Sequence, residues 1–168
     1  ATVLRATLGV ANLEFHKSIR SNDKTQWDVI YHQKEDRLIE DKNFTEYTVY
    51  CNSKQKYKYF KLWIRRNSSR SSDFTNYLFQ ISEFALLPAA FGMTLESGNA
   101  KAMDGDTGEK WEGKTPQTVV VKATSACQLI GYQFTTGNDN RLYPGRNPKD
   151  WTVEGSNDQQ TWTTIDTK

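Results

Sequence analysis

Nearly every apolar run in this chain is short and keeps a period of two, and that pattern limits the fold more than any other feature. In Tyr57–Arg66 the residues Phe60, Leu62 and Ile64 share one face, and in Trp151–Gly155 apolar and polar side chains alternate. A strand half-buried against a core requires this alternation, because successive side chains point to opposite faces of a sheet. Clusters of Asn, Asp, Gly and Ser separate the runs, and helical periodicity is weak throughout. Together these predict an all-β sandwich or barrel. Strands are expected at Thr2–Thr7, Ala11–Lys17, Trp27–His32, Tyr47–Cys51, Tyr57–Arg66, Tyr77–Leu86, Thr118–Ala123, Leu129–Thr136, Trp151–Glu154 and Thr161–Ile165. Between Pro88 and Trp111 the pattern is irregular, with room for one helical turn within Leu86–Gly98.

At 168 residues the chain has the size of one domain. Its hydrophobic content of 36% is low, and five Trp, eight Tyr and eight Phe supply the bulk a core needs. A net charge of +2 implies no polyanionic partner. No run approaches the ~18 apolar residues of a membrane span. The first residue is Ala1 rather than Met, and a removed leader or upstream domain is the expectation. Cys51 and Cys127 are too few for a disulfide framework; they either pair or remain separate thiols. Asn43-Phe44-Thr45 and Asn67-Ser68-Ser69 fit the N-glycosylation triplet, a pattern that also arises by chance.

Catalysis has little support. His16 and His32 stand in no nucleophile or zinc pattern, and no nucleotide fingerprint or G-x-S-x-G elbow occurs. Lys54, Lys56, Lys58 and Lys61 interleave with Tyr57, Tyr59 and Phe60, and Arg65, Arg66 and Arg70 follow. That arrangement suits single-stranded nucleic acid, but with so small a net charge a solvated strand face is the preferred reading. A faint repeat relates Thr2–Thr7 to Val120–Thr124 and Leu13–Phe15 to Tyr132–Phe134.

One polar run has the chemistry of a site. Met103–Trp111 packs Asp104, Asp106, Thr107, Gly105 and Gly108 into one tight stretch. Hard cations gather several oxygens, and glycines permit the turn that brings them together. The spacing is not that of an EF-hand, and a plain polar turn before a strand is the competing reading. A second loop, Asn138–Arg146, offers Tyr143 as an apolar platform, with Asn138, Asn140 and Arg141 as planar donors and acceptors. Sugar rings need both.

Gly131–Asp139, Pro144–Asp158 and Trp162–Asp166, with the opening Asp104–Trp111, resemble the F5/8 type C (discoidin-like) family. Tyr57–Ile64 followed by Phe79–Leu86 resembles the closing strands of that family, but here these precede the opening motif. Either the halves are circularly permuted or the chain is a slice through two tandem modules, 1–87 and 88–168. The preferred expectation is one sandwich over 1–168. Residues 1–26 would be additional strands, 27–87 the family's C-terminal half and 88–168 its N-terminal half.

The resemblance implies a jelly-roll β-sandwich of the galactose-binding-like class. It also implies a non-catalytic carbohydrate-binding module, accessory to a larger secreted or cell-surface enzyme or adhesin. The implied ligand is a galactose-type or related glycan at Asn138, Asn140, Arg141, Tyr143 and Arg146, with Arg146 open to a scaffold role instead. A structural Ca2+ is implied at Asp104, Asp106, Thr107 and Glu83. Alternation through Phe79–Ala85 puts Glu83 on an apolar face, where a carboxylate needs a cation or a salt bridge. The alternative function is a protein–protein interaction module on the same sandwich. Lipid-binding members expose apolar loop tips, for which Ala89–Met93 is the only candidate.

Overall fold

The computed structural model describes residues 39, 41–68, 78–87 and 92–168 in full, and 2–10, 13–21 and 28–32 as backbone strands. Trp27, Arg70 and the Ala89–Phe91 part of the candidate apolar tip lie outside the described residues. The chain divides into two compact units, Ala1–Leu38 and Ile39–Lys168. Among the described residues the regular structure is strand, with two single-turn 3-10 segments at Ala100–Ala102 and Pro144–Arg146.

The first unit is a three-stranded antiparallel sheet in the order β1-β2-β3. β1 (Thr2–Val10) pairs with β2 (Leu13–Ser21) along its whole length, and β3 (Asp28–His32) pairs with β2 across a register shift between Ser18 and Ile19.

Among its described residues the second unit holds ten strands: β4 (Glu46–Tyr50), β5 (Tyr57–Asn67), β6 (Leu78–Ile81), β7 (Glu83–Leu87), β8 (Thr94–Ser97), β9 (Trp111–Lys114), β10 (Gln117–Cys127), β11 (Gly131–Thr135), β12 (Pro148–Ser156) and β13 (Thr163–Thr167). They form a five-stranded sheet β13-β12-β5-β10-β8, a three-stranded sheet β4-β11-β7 and a β6-β9 pair, all antiparallel. β5 lies between β10 and β12, and β4 and β7 flank β11. In the five-stranded sheet β5 is thus flanked on both sides by strands from residues 94–167, and in the three-stranded sheet β11 is flanked on both sides by strands from residues 46–87.

The core lies between these sheets. Phe60, Leu62 and Ile64 of β5 are buried, as their alternation predicts, while Trp63 between them stays 40% exposed. Phe134 of β11 meets Trp151 of β12 edge to face, with ring centroids 5.2 Å apart, and Phe84 of β7 packs on Phe134 at 5.5 Å. Edge-to-face geometry sets a positive ring edge against a negative ring face. A polar tie crosses the same gap. The Trp151 indole donates to the Tyr132 hydroxyl at 2.7 Å, and that hydroxyl donates to Asp166 Oδ2 at 2.6 Å. Asp166 also lies 3.5 Å from Lys168 Nζ. The Trp151, Tyr132 and Asp166 polar groups of this tie therefore each have a partner.

Two expectations need correction. The strand expected across Tyr77–Leu86 is two strands broken at Ser82, whose N–H donates to the Thr135 carbonyl at 2.8 Å. The break resets the alternation. Glu83 therefore shares the half-buried face of β7 with Ala85 and Leu87, while Phe84 and Leu86 face the core. Second, Thr94–Ser97 forms a strand in the stretch expected to be irregular, Trp111–Lys114 forms one at its end where none was expected, and the single helical turn falls later, at Ala100–Ala102. Asn99 sets its start, accepting the Lys101 N–H at 3.0 Å. In the basic strand Tyr57 and Phe60 are buried, so only part of its aromatic content faces outward. Lys61 forms an ion pair with Glu154 and lies 4.4 Å over the Trp162 ring. Cys51 is half-buried, Cys127 is buried, and both are free thiols.

Candidate functional site

The carboxylate loop runs from the Ala100–Ala102 turn into β9. Asp104 Oδ1 accepts the Asp106 N–H at 2.9 Å, and Asp106 Oδ1 accepts the Gly108 N–H at 2.8 Å. Short acidic side chains form such turns because they reach a backbone donor two residues on. Gly105 sits at φ +79°, a conformation costly for any residue with a Cβ, and its N–H donates to Glu83 Oε1 at 2.9 Å. The Glu83 and Asp104 carboxyls are themselves hydrogen-bonded. Burial, then that bond, pushes Glu83 up to about 7, against the Gly105 N–H; the Asp106 backbone N–H is the leading cause that holds Asp104 below its ordinary value. Two carboxyls at hydrogen-bond distance require a shared proton or a cation, since like charges so close cannot both ionise freely. Asp106 and Thr107 are exposed on the same loop. Among the described residues, no three or more His, Cys, Asp or Glu side chains cluster closely enough to hold a metal ion.

The second candidate loop lies directly against the first. Asn138 Nδ2 donates to the Gly108 carbonyl at 3.1 Å, and Lys110 Nζ lies 2.9 Å from Asp139 Oδ2. Gly137 admits this approach, because a Cβ there would stand 2.9 Å from Lys110 Cδ. Gln80 of β6 is wholly buried at the centre. Its Nε2 donates to Asp139 Oδ1 at 3.0 Å, and its Oε1 accepts from Lys110 at 3.4 Å and from Arg146 at 3.3 Å. The Arg146 guanidinium covers one face of Tyr143, 4.1 Å from the ring centroid, and stands 4.0 Å from Glu112. Burial alone would raise the Asp139 carboxyl, but the Lys110 bond and charge, the Gln80 bond and Arg146 outweigh it and leave it below its ordinary value.

Asn138, Tyr143 and Arg146 thus meet at one end of the sandwich, beside the Glu83–Asp104 pair. Arg141 is exposed on the same loop, its N–H fixed by Asn43 Oδ1 at 2.7 Å. Asn140 is wholly buried instead, its amide donating to the Lys42 carbonyl at 3.1 Å, so it braces the loop from beneath. Gln80, Lys110, Glu112, Asp139 and Asn43 complete the assembly, and sequence reasoning had not assigned them to it. Of these, only Asn43 carried a local signal, its triplet with Thr45; the others meet across 29 to 66 positions of sequence. Phe44, Leu142 and Tyr143 are 51%, 73% and 46% exposed at this end.

The charges here are matched. Lys110 faces Asp139 and Glu112, and Arg146 faces Glu112. An aromatic ring, paired charges and amides at fixed positions can hold a neutral polyhydroxy ligand.

No family model and no solved structure matches the chain. The chain is similar to the peptide-N(4)-(N-acetyl-beta-glucosaminyl)asparagine amidase of Arabidopsis thaliana, 42% identical over 84 residues. The match covers 46% of this chain and 11% of the amidase, so the chain spans about a tenth of that relative's length.

Proposed function

We propose that the 39–168 unit is a non-catalytic carbohydrate-binding module, a jelly-roll of the galactose-binding-like class related to the F5/8 type C family with its halves in permuted order. The observation that carries this reading is the meeting of Tyr143, Arg146, Asn138, Asp139 and Lys110 at one end of the sandwich. In this reading the half-exposed Tyr143 ring takes the C–H face of a sugar, and Asn138 and the exposed Arg141 meet its hydroxyls. Matched charges favour a neutral glycan over an anionic one. The amidase relative, whose name specifies an N-acetyl-beta-glucosaminyl asparagine, gives loose support to glycan recognition. In this reading Glu83, Asp104, Asp106 and Thr107 hold a structural Ca2+, which would neutralise the carboxyl pair and stiffen the loop that Asn138 rests on. The module serves a larger secreted or cell-surface protein.

The test is a glycan array in calcium buffer with terminal galactose and N-acetylglucosamine ligands, read beside a Tyr143→Ala, Arg141→Ala double variant. Binding that the variant loses supports the reading. A blank array from folded protein would sink it and favour the protein-interaction alternative, for which exposed Phe44 and Leu142 speak.

A further inference from the structure

The sequence holds two Asn-X-Ser/Thr triplets, and the fold treats them differently. Asn67 is the last residue of β5, 1% exposed, and its amide donates to the Leu78 carbonyl at 3.1 Å. A glycan there would have no path to solvent. Asn43 is exposed, in the turn that precedes β4. Phe44 after it takes φ +50° with its ring half in solvent, and the Thr45 hydroxyl donates to the Asn43 carbonyl at 3.1 Å. The amide and the +2 hydroxyl thus belong to one tight surface turn, the setting in which N-linked glycans are carried.

We propose that Asn43 is an N-glycosylation acceptor and that Asn67 is not. The donor is a lipid-linked oligosaccharide diphosphate of a secretory compartment. Transfer breaks the C1–O bond to the diphosphate and forms a C1–N bond to Asn43 Nδ2. That nitrogen gives up one proton, and the lipid diphosphate leaves. The Asn43 side chain accepts the Arg141 N–H through Oδ1 and donates to the Asn138 carbonyl at 2.6 Å through Nδ2. Transfer leaves Oδ1 intact and one N–H on Nδ2, so the first bond survives modification. The glycan then stands on the rim of the end loops, between 41–45 and 136–143. The assignment is independent of whether those loops bind free sugar.

The test is secretion of residues 1–168 from a eukaryotic host, with intact mass measured before and after enzymatic glycan removal in 18O-water. Wild type is expected to carry one glycan, and removal should leave 18O-labelled aspartate at position 43. The Asn67→Gln variant keeps the glycan, while Asn43→Gln and Thr45→Ala lose it. Thr45→Ser, which preserves the triplet, retains it and separates loss of the acceptor from loss of folding. A folded wild type that leaves the cell bare overturns the proposal, as does a glycan that Asn67→Gln removes.

Discussion

Replacing Tyr132 with Phe removes one oxygen from the tie between the two sheets. The Trp151 indole N–H, 1% exposed as a residue, loses its acceptor at 2.7 Å, and Asp166 loses a donor at 2.6 Å. An orphaned buried donor costs about 1–3 kcal/mol, and a bond to a charged group contributes about 1.5–3 kcal/mol. Asp166 keeps Lys168 at 3.5 Å, so the lower half of each range applies and the sum is about 3 kcal/mol. For a unit of this size that lowers the melting temperature by roughly 10 °C. Urea unfolding should show the same loss as a shifted midpoint at unchanged slope. The alkaline limb gives a second reading. Burial, then the charge and bond of Asp166, hold the Tyr132 hydroxyl above its ordinary value of 10.0. The folded form therefore keeps the proton that the unfolded chain releases. The contribution is complete below pH 10 and declines above it, by about 1.4 kcal/mol per pH unit. Tyr132→Phe lacks this decline, so the two stability curves should converge as pH rises past 10. A variant within about 1 kcal/mol of wild type at pH 7, or parallel curves above pH 10, would refute the reasoning.

Ca2+ at a hundredfold excess over its dissociation constant should stabilise the protein by about 2.7 kcal/mol, with reversal by chelator; an unchanged melting curve at millimolar Ca2+ would remove the cation from Glu83 and Asp104. Arg146→Lys keeps the charge but loses the planar stack on Tyr143, so glycan affinity should fall roughly tenfold with little change in melting temperature, measured by calorimetry; unaltered affinity would make Arg146 scaffold. Asp158 Oδ1 accepts from the Gln160 and Thr161 N–H groups and from the Ser156 hydroxyl, and these bonds hold it down to about 2. Asp158→Ala should therefore melt lower at neutral pH. Because the depressed group stabilises only while ionised, the gap should be full above roughly pH 4 and close as pH falls through about 2; a gap that persists at pH 2 would contradict this.

The alternation of Tyr57–Arg66 and Trp151–Gly155 made the all-β class legible, since a period of two survives whatever the strand pairs with. The face of Glu83 was not legible, because one bend at Ser82 shifts every later side chain by one step. Thr94–Ser97 and Trp111–Lys114 escaped notice because strands of four residues carry too few alternations to register. Asp104, Asp106 and Thr107 were visible as a group because their loop is contiguous. Gln80 was not, because a glutamine between Phe79 and Ile81 reads as an outward residue until Lys110, Asp139 and Arg146 arrive from elsewhere in the chain. Asn140 shared its polarity with Asn138, and only the packing of Lys42 against it sets the two apart.

The place of β5 between β10 and β12 has a consequence for how the molecule assembles. Neither portion of the chain holds a closed sheet of its own. Residues 46–87 supply a central strand without neighbours, and residues 94–167 supply neighbours around a gap. Folding must therefore wait for pairings some fifty to a hundred residues apart, such as Gln117 with Ile64 and Ser156 with Tyr59, which puts the protein among slow, cooperative folders. The same gap makes the chain a natural split protein. Fragments 39–87 and 92–168 should reconstitute the sandwich on mixing, with the missing strand itself as the recognition element.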